Sequence, residues 1–273
     1  MMKHRRLGRL VAATALALGA TAWAAPAQAA EGDAMVTVVH AVPDTPVDVY
    51  ANGEALLTDF APGTVTDPVA LPAGSYDLKV TAPGAGADGK AVISANGVDV
   101  PAGANLSVVA HLTAGGDPVL TPYVNDVSAV PAGQARLTVR HTAAAPAVDV
   151  RAGGAPVFTG LENPGEASGE VPAGTVSADV VLAGTDQVVI GPADLTLGEG
   201  SNTVVYAWGS ADAGNLALAV QTIDGMGSAP SGVPGGTGGQ AAADNGHLWW
   251  IALGVVAAGG AAALTRTAGS RRA

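Results

Sequence analysis

The chain has 273 residues, a net charge of −11 and no cysteine, which excludes a disulfide frame, thiol catalysis and cysteine-bound zinc. Its charge is sorted. All 23 acidic residues fall between Glu31 and Asp244, and only five of the 12 Lys and Arg lie among them (Lys79, Lys90, Arg136, Arg140 and Arg151), so the middle carries 5 − 23 = −18. Such a surface has nothing to neutralise phosphates, which argues against nucleic acid and against docking on anionic lipid head groups.

Both ends are basic and border apolar runs, and cationic flanks stay on the cytoplasmic side of a membrane. Lys3, Arg5, Arg6 and Arg9 precede an apolar stretch over residues 10–25, followed by Pro26-Ala27-Gln28-Ala29. Small residues at Ala27 and Ala29 suit signal peptidase, so residues 1–29 are expected to be a signal peptide removed after Ala29.

The region that follows repeats itself. Val36-Thr-Val-Val-His40 matches Leu137-Thr-Val-Arg-His141, and Pro46-Val-Asp-Val-Tyr50 matches Ala147-Val-Asp-Val-Arg151. Leu71-Pro-Ala-Gly74 matches Val171-Pro-Ala-Gly174, and Asn105-Leu-Ser-Val-Val-Ala-His111 matches Asn202-Thr-Val-Val-Tyr-Ala-Trp208. The segments are short, rich in Val and Thr, and punctuated by Gly, Pro, Asn and Asp every 8–12 residues, which is the spacing of an all-β sandwich. Strands are predicted at 35–41, 47–51, 76–80, 105–112 and 119–124, and again at 137–141, 148–151, 176–182, 203–208 and 216–223. Asn52-Gly53 reads as a hairpin turn needing positive φ. The sequence thus predicts two tandem β-sandwich repeats, residues 30–126 and 134–224, each expected to fold alone.

Val36-Thr-Val-Val-His-Ala-Val-Pro-Asp-Thr-Pro-Val-Asp-Val-Tyr50, followed by Asn52-Gly53, Phe60, Gly63-Thr64 and Leu71-Pro-Ala-Gly-Ser-Tyr76, resembles the opening of the bacterial domain-of-unknown-function 4397 family. The resemblance covers roughly residues 35–124. It implies secreted or surface-bound modules of immunoglobulin-like β-sandwich fold, and it implies no particular activity. The second copy departs from the pattern, with Ala145 in place of Asp44 and Arg151 in place of Tyr50. The abundance of Ala, Gly, Val, Asp and Pro also looks like the coding bias of a high-GC Gram-positive, actinobacterial genome.

Two carboxylates and an imidazole around one strand, His40, Asp44 and Asp48, with His141 and Asp149 as their echo, are the candidate binding residues, for a divalent cation or a polar ligand. The competing reading is structural. Asp48 alternates with Val47 and Val49 and so points to solvent or a neighbouring turn. Asp44, before Thr45-Pro46, is a turn former whose carboxylate would cap nearby amides. His40 would be hydrogen-bonded at a strand end. On that reading there is no metal and no cofactor. Neither a nucleophile elbow, a His-Glu-x-x-His helix nor a phosphate-binding glycine loop is present, so no catalytic residue is expected.

Residues 225–246, built of Gly, Ser, Pro, Ala and Thr, read as a flexible linker. Residues 247–265 follow as an expected transmembrane helix, its apolar stretch about 25 Å long. Trp249 and Trp250 suit the outer interface, and Arg266, Arg271 and Arg272 suit the cytoplasmic one, giving a basic tail over 266–273. Within the linker, Pro234, Thr237 and Gly238 resemble part of a sortase sorting signal. Two residues separate Pro234 from Thr237 where the usual signal has one, so membrane anchoring is the expectation and cell-wall attachment by sortase the alternative. The functional expectation is a non-catalytic cell-surface module, with a ligand- or metal-binding sensor as the alternative and a hydrolase behind it.

Overall fold

A computed structural model describes residues 32–227. The signal peptide, sorting signal, transmembrane helix and basic tail expected above lie outside the described residues. Among the described residues there is no helix, and none is long and apolar enough to cross a membrane.

The described residues form sixteen strands. In the first repeat these are β1 (Ala34–Ala41), β2 (Val47–Ala51), β3 (Glu54–Phe60), β4 (Val69–Leu71), β5 (Gly74–Thr81), β6 (Ala91–Val100), β7 (Asn105–Leu112) and β8 (Pro118–Val124). In the second they are β9 (Gln134–His141), β10 (Val148–Ala152), β11 (Ala155–Leu161), β12 (Glu166–Pro172), β13 (Gly174–Leu182), β14 (Val188–Leu197), β15 (Asn202–Trp208) and β16 (Ala217–Ile223). The ten strands predicted above are all present. The six additional ones, β3, β4, β6, β11, β12 and β14, have mostly exposed or half-buried residues and so little apolar alternation to reveal them.

Each repeat folds into two four-stranded sheets. The first has the orders β4-β1-β7-β8 and β3-β2-β5-β6, and the second repeats the plan as β12-β9-β15-β16 and β11-β10-β13-β14. The opening strand of each repeat pairs parallel with its seventh, β1 with β7 and β9 with β15, and the other pairings are antiparallel. Between the sheets of the first repeat lie Val36, Val38, Val47, Val49, Leu78, Val80, Ile93 and Val108, and between those of the second Leu137, Val139, Val148, Val150, Val180 and Val205. Alternation sorts these inward residues from their neighbours, so that in β2 and β5 one face is core and the other polar.

The repeats do not stand apart. A third core joins Val39, Ala41, Val109 and Tyr123 of the first repeat to Val204, Tyr206 and Ala219 of the second. It forms because β1, β7, β9 and β15 are buried along almost their whole length on both faces, with one face packed inside its own sandwich and the other against the sister sheet. The result is four stacked sheets, with β4-β1-β7-β8 and β12-β9-β15-β16 as the inner pair.

The spacing between equivalent residues locates the shortening of the second copy. Val47 and Val148 occupy the same place, a difference of 148 − 47 = 101; Val80 and Val180 differ by 100; Ile93 and Ile190 differ by 97. Three of the four lost residues therefore come from the loop that joins β5 to β6 in the first repeat and β13 to β14 in the second.

Candidate functional site

His40 and His141 occupy equivalent ends of β1 and β9 and make equivalent bonds. His40 donates from Nε2 to the Thr45 carbonyl (3.0 Å) and accepts the Val42 amide on Nδ1 (3.4 Å). His141 donates to the Pro146 carbonyl (2.9 Å) and accepts the Ala143 amide (3.3 Å). Each imidazole thus closes the turn into the next strand. Both rings are buried, and burial holds both pKa values below the ordinary 6.5, against the upward pull of the carbonyl each one meets.

Asp48 and Asp149 are also a matched pair, on the outer faces of β2 and β10. Asp48 is 3% exposed and accepts the Asp59 amide (2.9 Å) on one oxygen and the Gly84 amide (2.8 Å) on the other. Asp149 accepts the Gly160 amide (2.7 Å) and the Gly184 amide (2.9 Å), and these two bonds draw its pKa down. Each carboxylate therefore ties the end of one strand to a distant loop. Asp48 points to neighbouring turns, one of the two directions its alternation allowed. Asp44 is exposed, sits at φ 78°, and its carboxylate caps no amide, contrary to the expectation from its turn sequence. Its left-handed backbone marks the turn, and the turn is closed by His40.

The imidazoles and carboxylates do not converge. His40 faces inward, its ring 5.7 Å from that of the core residue Phe60, whereas Asp48 lies on the outer side of the facing sheet. Among the described residues no three His, Cys, Asp or Glu side chains are grouped as metal ligands would be. Pro234, Thr237 and Gly238 lie outside the described residues.

Sequence reasoning missed the polar assembly between the repeats. Arg140, fully buried in β9, donates to Glu166 (2.9 Å) and Tyr206 (2.9 Å) of its own repeat and to Asn125 of the first repeat (2.8 Å). Its guanidinium lies 4.3 Å from the Tyr123 ring centre, a cation–π contact across the joint. Gln221 accepts from Ser107 (2.9 Å) and Tyr206 (2.6 Å) and donates to Thr37 (3.2 Å), while the Tyr123 hydroxyl donates to the Pro164 carbonyl (2.7 Å). Burial pushes the Tyr123 pKa up to about 12, although Arg140 pulls the other way, and raises that of Tyr206 as well. Both phenols stay protonated and can donate. The available signal was a pair of arginines, Arg136 and Arg140, inside an otherwise uncharged strand.

Among the described residues three clefts are of ligand size, one of them, about 380 Å³, beside Pro146, Gln187 and Asp212 of the second repeat. Another, of about 500 Å³, runs along the seam between β1 and β16 and is bordered by Thr37, Thr66, Asp67, Val220, Gln221 and Asp224. The third, of about 360 Å³, opens on the outer sheet of the first repeat around Tyr50, Asp77 and Lys79.

No curated protein matches this chain. A family model for a domain of unknown function, DUF4397, matches residues 34–151, from the first strand through the join between the repeats to the end of the motif Val148-Asp149-Val150-Arg151 in the second repeat. The match runs past residue 124 and takes in β9 and β10, which restate the motif of β1 and β2 with His141 for His40 and Asp149 for Asp48. Over residues 34–151 the chain is thus similar to the DUF4397 family.

Proposed function

We propose that the protein is a non-catalytic cell-surface module: two acidic β-sandwiches of immunoglobulin-like plan, exported by the N-terminal signal, held by the C-terminal helix and displayed on the linker for binding or envelope structure. One observation carries this reading. In both repeats the residues best suited to chemistry, His40 with Asp48 and His141 with Asp149, direct their polar atoms to backbone groups of their own turns. The charge of −18 over the middle of the chain supports a solvated, self-repelling surface. The seam cleft supports the binding half of the reading, since it offers amide and hydroxyl groups beside apolar Val65 and Ile223. Membrane anchoring is preferred to sortase attachment because the Pro234–Thr237 spacing departs from a sorting signal.

Cell fractionation tests the reading. Protease added to intact cells should degrade the full chain, and deletion of residues 247–273 should release it into the medium. Retention of the deleted form inside the cell would overturn the surface assignment. Release by wall-digesting enzyme alone, lost in Thr237→Ala, would replace the membrane anchor with a wall linkage.

A further inference from the structure

We propose that the outer cleft of the first repeat binds a neutral sugar residue. The proposal deepens the binding half of the reading above and rests on it. Strand register places Tyr50 beside Lys79 and Lys79 beside Ser94, so a phenol, an ammonium and a hydroxyl form one row across β2, β5 and β6. Asn52, Asp77 and Asn96 surround the row at the cleft of about 360 Å³, which is near the lower end of ligand pockets.

The hydrogen-bonding capacity of these groups is only partly used. Tyr50 is 7% exposed, yet its hydroxyl has no partner among the described residues and the side chain lines the cleft. Lys79 donates once, to the Ala87 carbonyl (2.6 Å), which pins the β5–β6 loop as a wall and leaves two N–H donors. Asn52 accepts the Asp77 amide (2.9 Å) through its oxygen and keeps its NH₂ group. Asp77 accepts the Gly97 amide (2.9 Å) on one oxygen and keeps the other. The cleft therefore offers donors and acceptors together with one positive and one negative charge. An anion would meet Asp77 and a cation would meet Lys79, whereas sugar hydroxyls, which donate and accept, satisfy both.

The second repeat argues the same point by contrast. At the positions of Tyr50 and Lys79 it carries Arg151 and Asp179, paired through two hydrogen bonds of 2.7 and 2.8 Å, with Asp186 at 3.2 Å from the same guanidinium. Three of the five guanidinium donors meet its own acceptors, and the loop that walls the cleft in the first repeat is shorter by three residues in the second. The cleft is thus a local property of the first copy and not a by-product of the fold.

The test uses the full chain in a sugar-free detergent. It is titrated calorimetrically with neutral hexoses, N-acetylhexosamines and their disaccharides, and with uronic acids as the anionic arm. Saturable binding of at least one neutral sugar is expected, weakened at least tenfold in Tyr50→Arg/Lys79→Asp, which copies the closed pair of the second repeat. Ser94→Ala and Asn96→Ala, both at exposed positions, are the second arm and should also weaken binding without shifting the melting curve. No neutral binder, binding of uronic acids alone, or a neutral binder indifferent to both sets of variants would overturn the proposal. Failure here leaves the fractionation result standing, so the two readings fall separately.

Discussion

The two repeats share a backbone plan and meet through the same sheet, but they bring different side chains to the joint. Where the first repeat has Val39, Val109 and His111, the second has Arg140, Tyr206 and Trp208. The first repeat is small where the second is large. Gly63 lies under the Trp208 ring so closely that a Cβ there would stand 2.8 Å from it, and Tyr123 of the first repeat stacks on Arg140 of the second. Two faces like the second would oppose arginines in a buried joint. Two like the first would lack the Arg140 hub with its bonds to Asn125, Glu166 and Tyr206. Divergence after duplication has made one face the complement of the other, so the pairing of unlike copies is specified by shape and by charge.

The largest effect should come from separating the copies. Seven residues of the shared core would be uncovered, and at about 1.5–3 kcal/mol for each large apolar side chain the loss is on the order of 5 kcal/mol or more. Residues 32–227 should unfold in one transition, whereas 32–126 and 134–227 alone should melt lower and bind a hydrophobic dye. Dye-free fragments melting with the parent would mean that the joint adds nothing and that the copies are independent, as the tandem repeat alone implies.

Arg140→Val writes the first repeat's residue into the second. It strips Asn125 and the Tyr206 hydroxyl of a charged donor and leaves space beside two tyrosine rings. Glu166, 43% exposed, can turn to water, which softens the loss. The expected cost is about 3 kcal/mol, read by urea unfolding. A cost under about 1 kcal/mol would show that the hub is ornamental to stability.

How much of this was legible follows from the range of each interaction. The Asn52-Gly53 turn, with φ of 52° and 84°, is local and was readable from two residues. Alternation along 76–80 gave the inward side of β5. The joint was partly written too: the runs 36–41 and 106–111 hardly alternate, which is the mark of strands buried on both faces. What covers the second face was not written there, since Arg140 meets Asn125, Glu166 and Tyr206 at separations no local pattern encodes. Asp48 failed in the same way. Its side of the strand was legible, but its partner Gly84, 36 residues on, was not.

The aspartate pair offers a finer comparison. Asp48→Ala orphans two amides at a nearly buried site and should cost about 2 kcal/mol. Asp149→Ala removes the same two bonds where water can replace them, so its loss should be smaller. Equal losses would mean that burial does not set the strength of the clamp. Asp149→Ala, in the other repeat, should leave sugar binding at Tyr50 unchanged, whereas Asp48→Ala also frees Gly84 in the loop that walls the cleft.

The smallest effect separates the copies by pH. His40, His111 and His141 are buried, and burial lowers each pKa below 6.5; at His111 the neighbouring His141 lowers it further. The native state therefore holds these rings neutral while the unfolded chain takes up protons. Their contribution to stability is complete above pH 6.5. It declines as pH falls from there toward the folded pKa of each ring, and falls no further once both states are protonated. The slope can reach about 1.4 kcal/mol per pH unit for each group. His111 is the one to remove, because the second repeat has Trp208 at that place and no titration. His111→Gln keeps a donor and an acceptor near Leu112 and Thr121, which the ring now meets at 2.8 Å each. It should reduce the loss of stability between pH 6.5 and 5 by up to one proton's worth, measured by urea unfolding at each pH. An unchanged slope would mean that His111 titrates alike in both states and that the joint carries no acid sensitivity of its own.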